Sequence, residues 1–121
     1  MTSELRNFLC EQAVGQQNAV RFNTLFQMTF GDPKKYNNYQ LFVFVARLKR
    51  ALSYLRRQKG FFVVPVKDDE TNEIKYCIPT KMDDLVTYIR IYETNKKRYK
   101  AKINKAIKFI EKKEYNKLIS R

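Results

Sequence analysis

NYQLFVFVARLKRALSYLRRQKGFFVVPV, residues 38–66, decides how this 121-residue chain folds. Leu41, Val45, Leu48, Leu52 and Leu55 recur three or four apart, the spacing that puts them on one side of an α-helix. Arg47, Arg50, Tyr54 and Arg57 recur at the same steps on another side. Phe42, Val43 and Phe44 add apolar surface at the helix start, so this end is either heavily buried or touches a partner. Gly60 suits the close of the helix. The chain then changes to a β-prone run, Phe61 to Val66, in which Pro65 marks an edge strand or a break in pairing.

Working downstream, Ile74 to Ile78 is a second β-prone run, and the polar, acidic stretch Lys67 to Glu73 between the two reads as a hairpin tip. Pro79 ends that strand. Thr80 offers an N-cap with Asp83 three residues on, and Asp84 adds negative charge to the first helical turn. Leu85, Ile89, Tyr92, Tyr99, Ile103, Ala106 and Ile110 continue at near-helical steps, and no Gly or Pro appears after Lys81. The pattern predicts one continuous helix or two collinear ones, with Thr94-Asn95 as the point where a break can fall. Such a helix is about 55 Å long and outruns a core of this size, so its far end calls for a second subunit or nucleic acid to cover it.

Working upstream, Ser3 can cap a first helix bearing Leu5, Phe8 and Leu9 on one face and ending near Val14-Gly15. Ala19 to Phe22 is a short extended stretch. Asn23 then opens a second short helix with Leu25, Phe26 and Phe30 facing inward, and Gly31-Asp32-Pro33 stops it. The order is helix, short strand, helix, turn, long basic helix, hairpin, helix. That predicts a mainly α fold with a small β-hairpin (α+β), a winged helix-turn-helix with an extended basic C-terminal helix. Residues 1–80 form the winged core and residues 81–121 the long basic helix, within a single domain overall.

Charge points to the partner. The chain carries 25 Lys+Arg against 12 Asp+Glu, a net +13, which attracts phosphate backbones or acidic proteins. Eleven of those basic residues lie from Lys96 to Arg121, opposed by Glu111 and Glu114 alone, and they alternate with apolar residues at helical spacing. There is no histidine, which removes imidazole bases, His-activated nucleophiles and His metal ligands. Two cysteines build neither a disulfide framework nor a zinc cluster. Asp83-Asp84 and Asp68-Asp69-Glu70 read as a helix start and a loop tip rather than as ligands for Mg²⁺, and there is no Walker loop or nucleophile elbow. The expectation is a protein without cofactor or metal, not an enzyme. No apolar run has the roughly 18 residues of a membrane span, and no secretion pattern opens the chain, so the expected setting is the cytoplasm.

Leu55-Arg56-Arg57-Gln58-Lys59-Gly60-Phe61-Phe62-Val63, followed by Tyr76-Cys77-Ile78-Pro79-Thr80, resembles small winged-helix DNA-binding proteins of bacteriophages and related mobile elements. In those, a Leu-Arg…Gly end of the recognition helix leads into a wing whose second strand ends in an aromatic-x-Ile/Leu-Pro phrase, and a helix rich in Tyr and Arg/Lys follows. Here that helix carries Tyr88, Ile89, Arg90 and Arg98. The resemblance spans roughly residues 48–100. The chain departs from the pattern in its long segment before the recognition helix, in Phe42 and Phe44 where polar base readers belong, and in the acidic wing tip.

The resemblance implies a bacterial host cell as the setting and double-stranded DNA as the ligand, for a regulator of transcription or a replication accessory. The residues expected on DNA are Arg47, Arg50, Tyr54, Arg56, Arg57, Lys59, Lys96, Lys97, Arg98, Lys100 and Lys105. A homodimer through Tyr99, Ile103, Ile107 and Ile110 of the C-terminal helix is a further expectation. The main alternative is a phage-encoded interaction protein or inhibitor that turns the basic surface on an acidic host protein or a nuclease ribonucleoprotein. An RNA or single-strand binder, using tyrosines to stack on bases, is the third class.

Overall fold

Asn37 opens the central helix. Its side chain accepts from the Gln40 amide at 2.8 Å while the Gln40 side chain accepts from the Asn37 amide at 3.0 Å, a reciprocal capping box. This helix completes a first set of three in the computed structural model, which describes residues 1–120: α1 (Thr2–Gln12), α2 (Phe22–Phe30) and α3 (Asn38–Arg57). Arg121, counted in the basic run, lies outside the described residues. Leu48, Ala51, Leu52 and Leu55 of α3 are buried against Leu5 and Leu9 of α1 and Leu25 and Phe26 of α2. Leu41 and Val45 of the same stripe are partly buried, because the first turns of α3 rest on aromatic rings rather than on α1. Phe44 stacks on Phe30 with centroids 4.7 Å apart, and Tyr36 meets it edge-on at 4.9 Å.

Three short strands complete this half: β1 (Val20–Arg21), β2 (Val64–Lys67) and β3 (Ile74–Cys77), all antiparallel in the order β1-β3-β2. The chain is thus mainly helical with a small three-stranded antiparallel sheet. The hairpin expected from the sequence pairs Val64 with Cys77 and Lys67 with Ile74, and Pro65 does lie on an edge strand. The extended stretch before α2 is the third strand, with Val20 opposite Tyr76 and Arg21 opposite Lys75. At the tip, Asp68 accepts from the amides of Glu70 and Thr71 and pairs with Lys75 at 3.2 Å. Those bonds hold its carboxyl below the ordinary carboxylate range.

Three element starts differ from the sequence reading, and at α2 the helix begins at Phe22 with Arg21 before it and no side-chain cap, so Asn23 lies inside the first turn. Helix α1 begins at Thr2 with no side-chain cap, so Ser3 lies inside the first turn. Thr80 does not cap a helix with Asp83. Instead the fully buried Asp84 accepts from the Thr80 amide at 2.9 Å, and a 3₁₀ turn, Met82–Leu85, leads into the next helix.

The largest correction concerns the C-terminal third. Among the described residues it forms no extended helix. The chain forms α4 (Val86–Thr94), α5 (Lys96–Glu111) and α6 (Tyr115–Ile119), and α5 packs against α4. The break falls at Asn95, whose φ of −134° and ψ of 59° leave helical space. Its amide closes α4 on the Ile91 and Tyr92 carbonyls, and its own carbonyl accepts the amides that open α5. The turn lets Tyr99 meet Tyr88 at 5.9 Å and Phe109 meet Phe62 at 6.3 Å. Ile103, Ala106, Phe109, Ile110 and Leu118 are buried in the same core as α1 and α3. The apolar stripe that a straight helix would leave for a second subunit packs instead on α4, the 3₁₀ turn and Phe62, which buries Ile103 and Ile110 and leaves Tyr99 and Ile107 partly buried. The Gly- and Pro-free sequence allowed a straight helix, and burial of these apolar side chains outweighs the roughly one turn of helix lost at Asn95.

Candidate nucleic-acid interface

No carboxylate occurs between Asp32 and Asp68, so α3 and its flanks carry positive charge only. Arg47, Arg50, Tyr54 and Arg57 are all exposed on the side of α3 away from the core. The Arg47 guanidinium lies 5.6 Å from the Phe44 ring centroid, which steadies its stem, and the Arg57 Nε–H reaches the Ser53 carbonyl at 3.4 Å. Tyr54 stands between these arginines, half exposed.

At the C-terminal end of α3 the surface folds inward into a cleft. Two adjoining hollows, of about 350 and 260 Å³, run between the end of α3, the Lys59–Phe62 connection and one side of α5. Arg56, Arg57 and Lys59 line one wall, and Lys102, Lys105, Lys108 and Lys112 the other, with Phe62 and Phe109 as an apolar floor. Glu114, at one end, is the single carboxylate among the lining residues. Arg56 is fixed by an Nε–H bond to the Val63 carbonyl at 2.9 Å, which leaves the rest of its guanidinium for a ligand. Lys102 sits with its ammonium 4.9 Å from the Tyr99 ring. Partial burial, followed by repulsion from Arg56, Arg98 and Arg57, lowers its pKa. Seven cations around the two adjoining hollows, with no ion pair among them in the described residues, is an arrangement that gains stability when an anion enters.

Of the residues expected on DNA, two groups come together. Arg47, Arg50, Tyr54 and Arg57 share the outer face of α3. Arg56, Arg57, Lys59 and Lys105 share the cleft, and Arg57 joins the two. Lys96, Lys97 and Lys100 are exposed at the start of α5 and do not line the cleft, while Arg98 reaches it only through its repulsion of Lys102. Lys102, Lys108 and Lys112 were not singled out from the sequence. Their signal was present: Arg98, Lys102, Lys105, Lys108 and Lys112 recur at steps of four, three, three and four beside the buried stripe of α5. What the sequence lacked was the turn at Asn95 that brings this row to Arg56.

Among the described residues no His/Cys/Asp/Glu group gathers as a metal site, and no helix is long and apolar enough to cross a membrane. Cys77 is fully buried, and burial together with the Asp84 charge pushes its thiol up to about 12. The chain matches no protein-family model, no curated protein and no solved structure.

Proposed function

We propose that this chain is a winged helix-turn-helix protein that binds double-stranded DNA and acts by binding, without catalysis. The observation that carries the reading is the continuous cationic surface from the outer face of α3 into the cleft against α5, with Arg57 shared between them. A helix roughly 10 to 12 Å across matches the major groove. Helix α3 lying there brings Arg47, Arg50 and Tyr54 to base edges and inner phosphates. The seven cations of the cleft then hold the flanking backbone, where position is fixed but sequence is not read. Three helices followed by a hairpin, with β1 added beside β3, support the winged reading of the fold. The acidic tip at Asp69 and Glu70 is unsuited to phosphate, so the work assigned to a wing falls to α5 here. A role as regulator or replication accessory of a phage or mobile element rests on the resemblance around Leu55–Val63 and Tyr76–Thr80.

Fluorescence anisotropy with a labelled random-sequence duplex, titrated with salt, tests this. Wild-type protein binds at micromolar concentration or tighter, and log affinity falls by about 0.9 per phosphate neutralised for each decade of salt. Arg50→Ala weakens binding about tenfold, while the fold, read by circular dichroism, is unchanged. A chain cut at Asn95 cannot serve as the control, because it loses Ile103, Ala106, Phe109, Ile110 and Leu118 from the core. Negligible duplex binding at low salt overturns the reading and leaves an acidic protein as the partner for the cationic surface.

A further inference from the structure

We propose that the first half of the outer face of α3 contacts thymine methyl groups in the major groove, so that A·T-containing steps are the DNA this chain prefers. The inference rests on the DNA-binding reading and names the sequence class within it. Its starting point is that Tyr39 and Phe42 are 76% and 75% exposed, the most exposed large apolar side chains among the described residues. Neither is left over from a crowded core. The inward side of this end is already filled by Phe44, stacked on Phe30 and flanked by Tyr36, whose hydroxyl donates to the Phe30 carbonyl at 2.5 Å.

Helical spacing ties the exposed rings to the arginines. Phe42, Ala46 and Arg50 follow one another at steps of four, and so do Tyr39, Val43 and Arg47. Each row therefore begins apolar and ends cationic on one continuous face. Asn37 and Gln40 each give their side-chain oxygen to the capping box, and the exposed Asn38 stands beside them as a polar neighbour of the rings. The occupant must therefore offer negative charge beside small apolar groups, at the scale of one helix face. An acidic protein surface also carries both, but the major groove sets them in one fixed and repeating geometry: phosphates along its rims and the thymine C5 methyl on its floor. Aromatic and alanine side chains make that methyl contact.

The test compares a short alternating d(AT) duplex with the same duplex carrying deoxyuridine in place of thymidine. The two share charge and hydrogen-bonding groups and differ by the C5 methyls alone. Wild-type protein favours the thymidine duplex by about fourfold for each methyl buried. Phe42→Ser, at a surface position that leaves the core intact, keeps the salt slope and loses most of that preference. Lys108→Gln weakens binding to both duplexes and keeps the preference. Tight, salt-dependent binding with equal affinity for the two duplexes overturns this inference and leaves the DNA-binding reading standing. A full preference retained by Phe42→Ser also overturns it. Absence of binding to either duplex at low salt removes both, and the exposed rings then belong to a protein interface.

Discussion

Cys77 shows how burial converts a reactive residue into a structural one. The thiol's ordinary value of 9.0 is raised to about 12 by burial first and by the Asp84 carboxylate second. The unfolded chain therefore gives up this proton near pH 9 and the folded chain near pH 12. Between those values the folded state holds more protons, so raising the pH favours unfolding. The stability contribution is complete below pH 9 and is lost as pH climbs toward 12. Burial also raises Tyr76 and Tyr88, which adds loss of the same sign. Urea denaturation followed across that window will show a midpoint that falls with pH, less steeply in Cys77→Ala than in wild type. At this scale the sequence was legible in part. Cysteines read as small buried residues are buried, and tyrosines at helical spacing sit at core edges, with Tyr88 fully inside. The exchange of Asp83 for Asp84 as the partner of Thr80 was not legible, because either spacing satisfies a local cap and only the packing of Leu85 and Cys77 decides which carboxylate turns inward.

The elements show where local pattern suffices and where it stops. Helix α3 was readable in its stripe and its basic side, which are local signals, but it ends at Arg57 with an extended Gln58 as its C-cap, two residues before the Gly60 expected to close it. Strand β1 was readable as a short strand, but its pairing with β3 was not. Its two residues have no alternation to show, and their partner, β3, lies more than fifty residues away. Helix α5 carries two faces with separate jobs, and substitutions should separate them. Phe109→Ala leaves a cavity against Phe62 and destabilises the protein by about 3–5 kcal/mol, measurable by urea denaturation. Lys105→Gln with Lys108→Gln changes stability by no more than about 0.5 kcal/mol, since both are exposed and neither forms an ion pair. The same double substitution lowers the salt slope of duplex binding by about 0.9 for each phosphate that is no longer neutralised. If it leaves duplex affinity unchanged, the cleft has no part in the interface.

The sequence carries 37 charged side chains, and among the described residues only two ion pairs form, Arg21 with Glu73 at 3.0 Å and Lys75 with Asp68. Both sit at the hairpin, and neither relieves α3 or α5. A net charge of +13 left in this state repels itself, so salt should act in opposite directions on folding and on binding. Raising salt from about 50 to 200 mM raises the melting temperature of the free protein while duplex affinity falls steeply. A melting temperature that falls over the same range would mean that the two ion pairs outweigh the repulsion. The hairpin, the first three helices, the basic character and the stripe on α3 follow from composition or from spacing within one element. The tertiary structure decided the rest. It alone folded the C-terminal lysines back to Arg56, because whether Asn95 bends is set by burial of Ile103, Phe109 and Ile110 against residues far away in the chain. It also turned Phe44 inward and left Phe42 outside, because the aromatic pocket built by Phe30 and Tyr36 receives Phe44 and has no place for its neighbour two residues earlier.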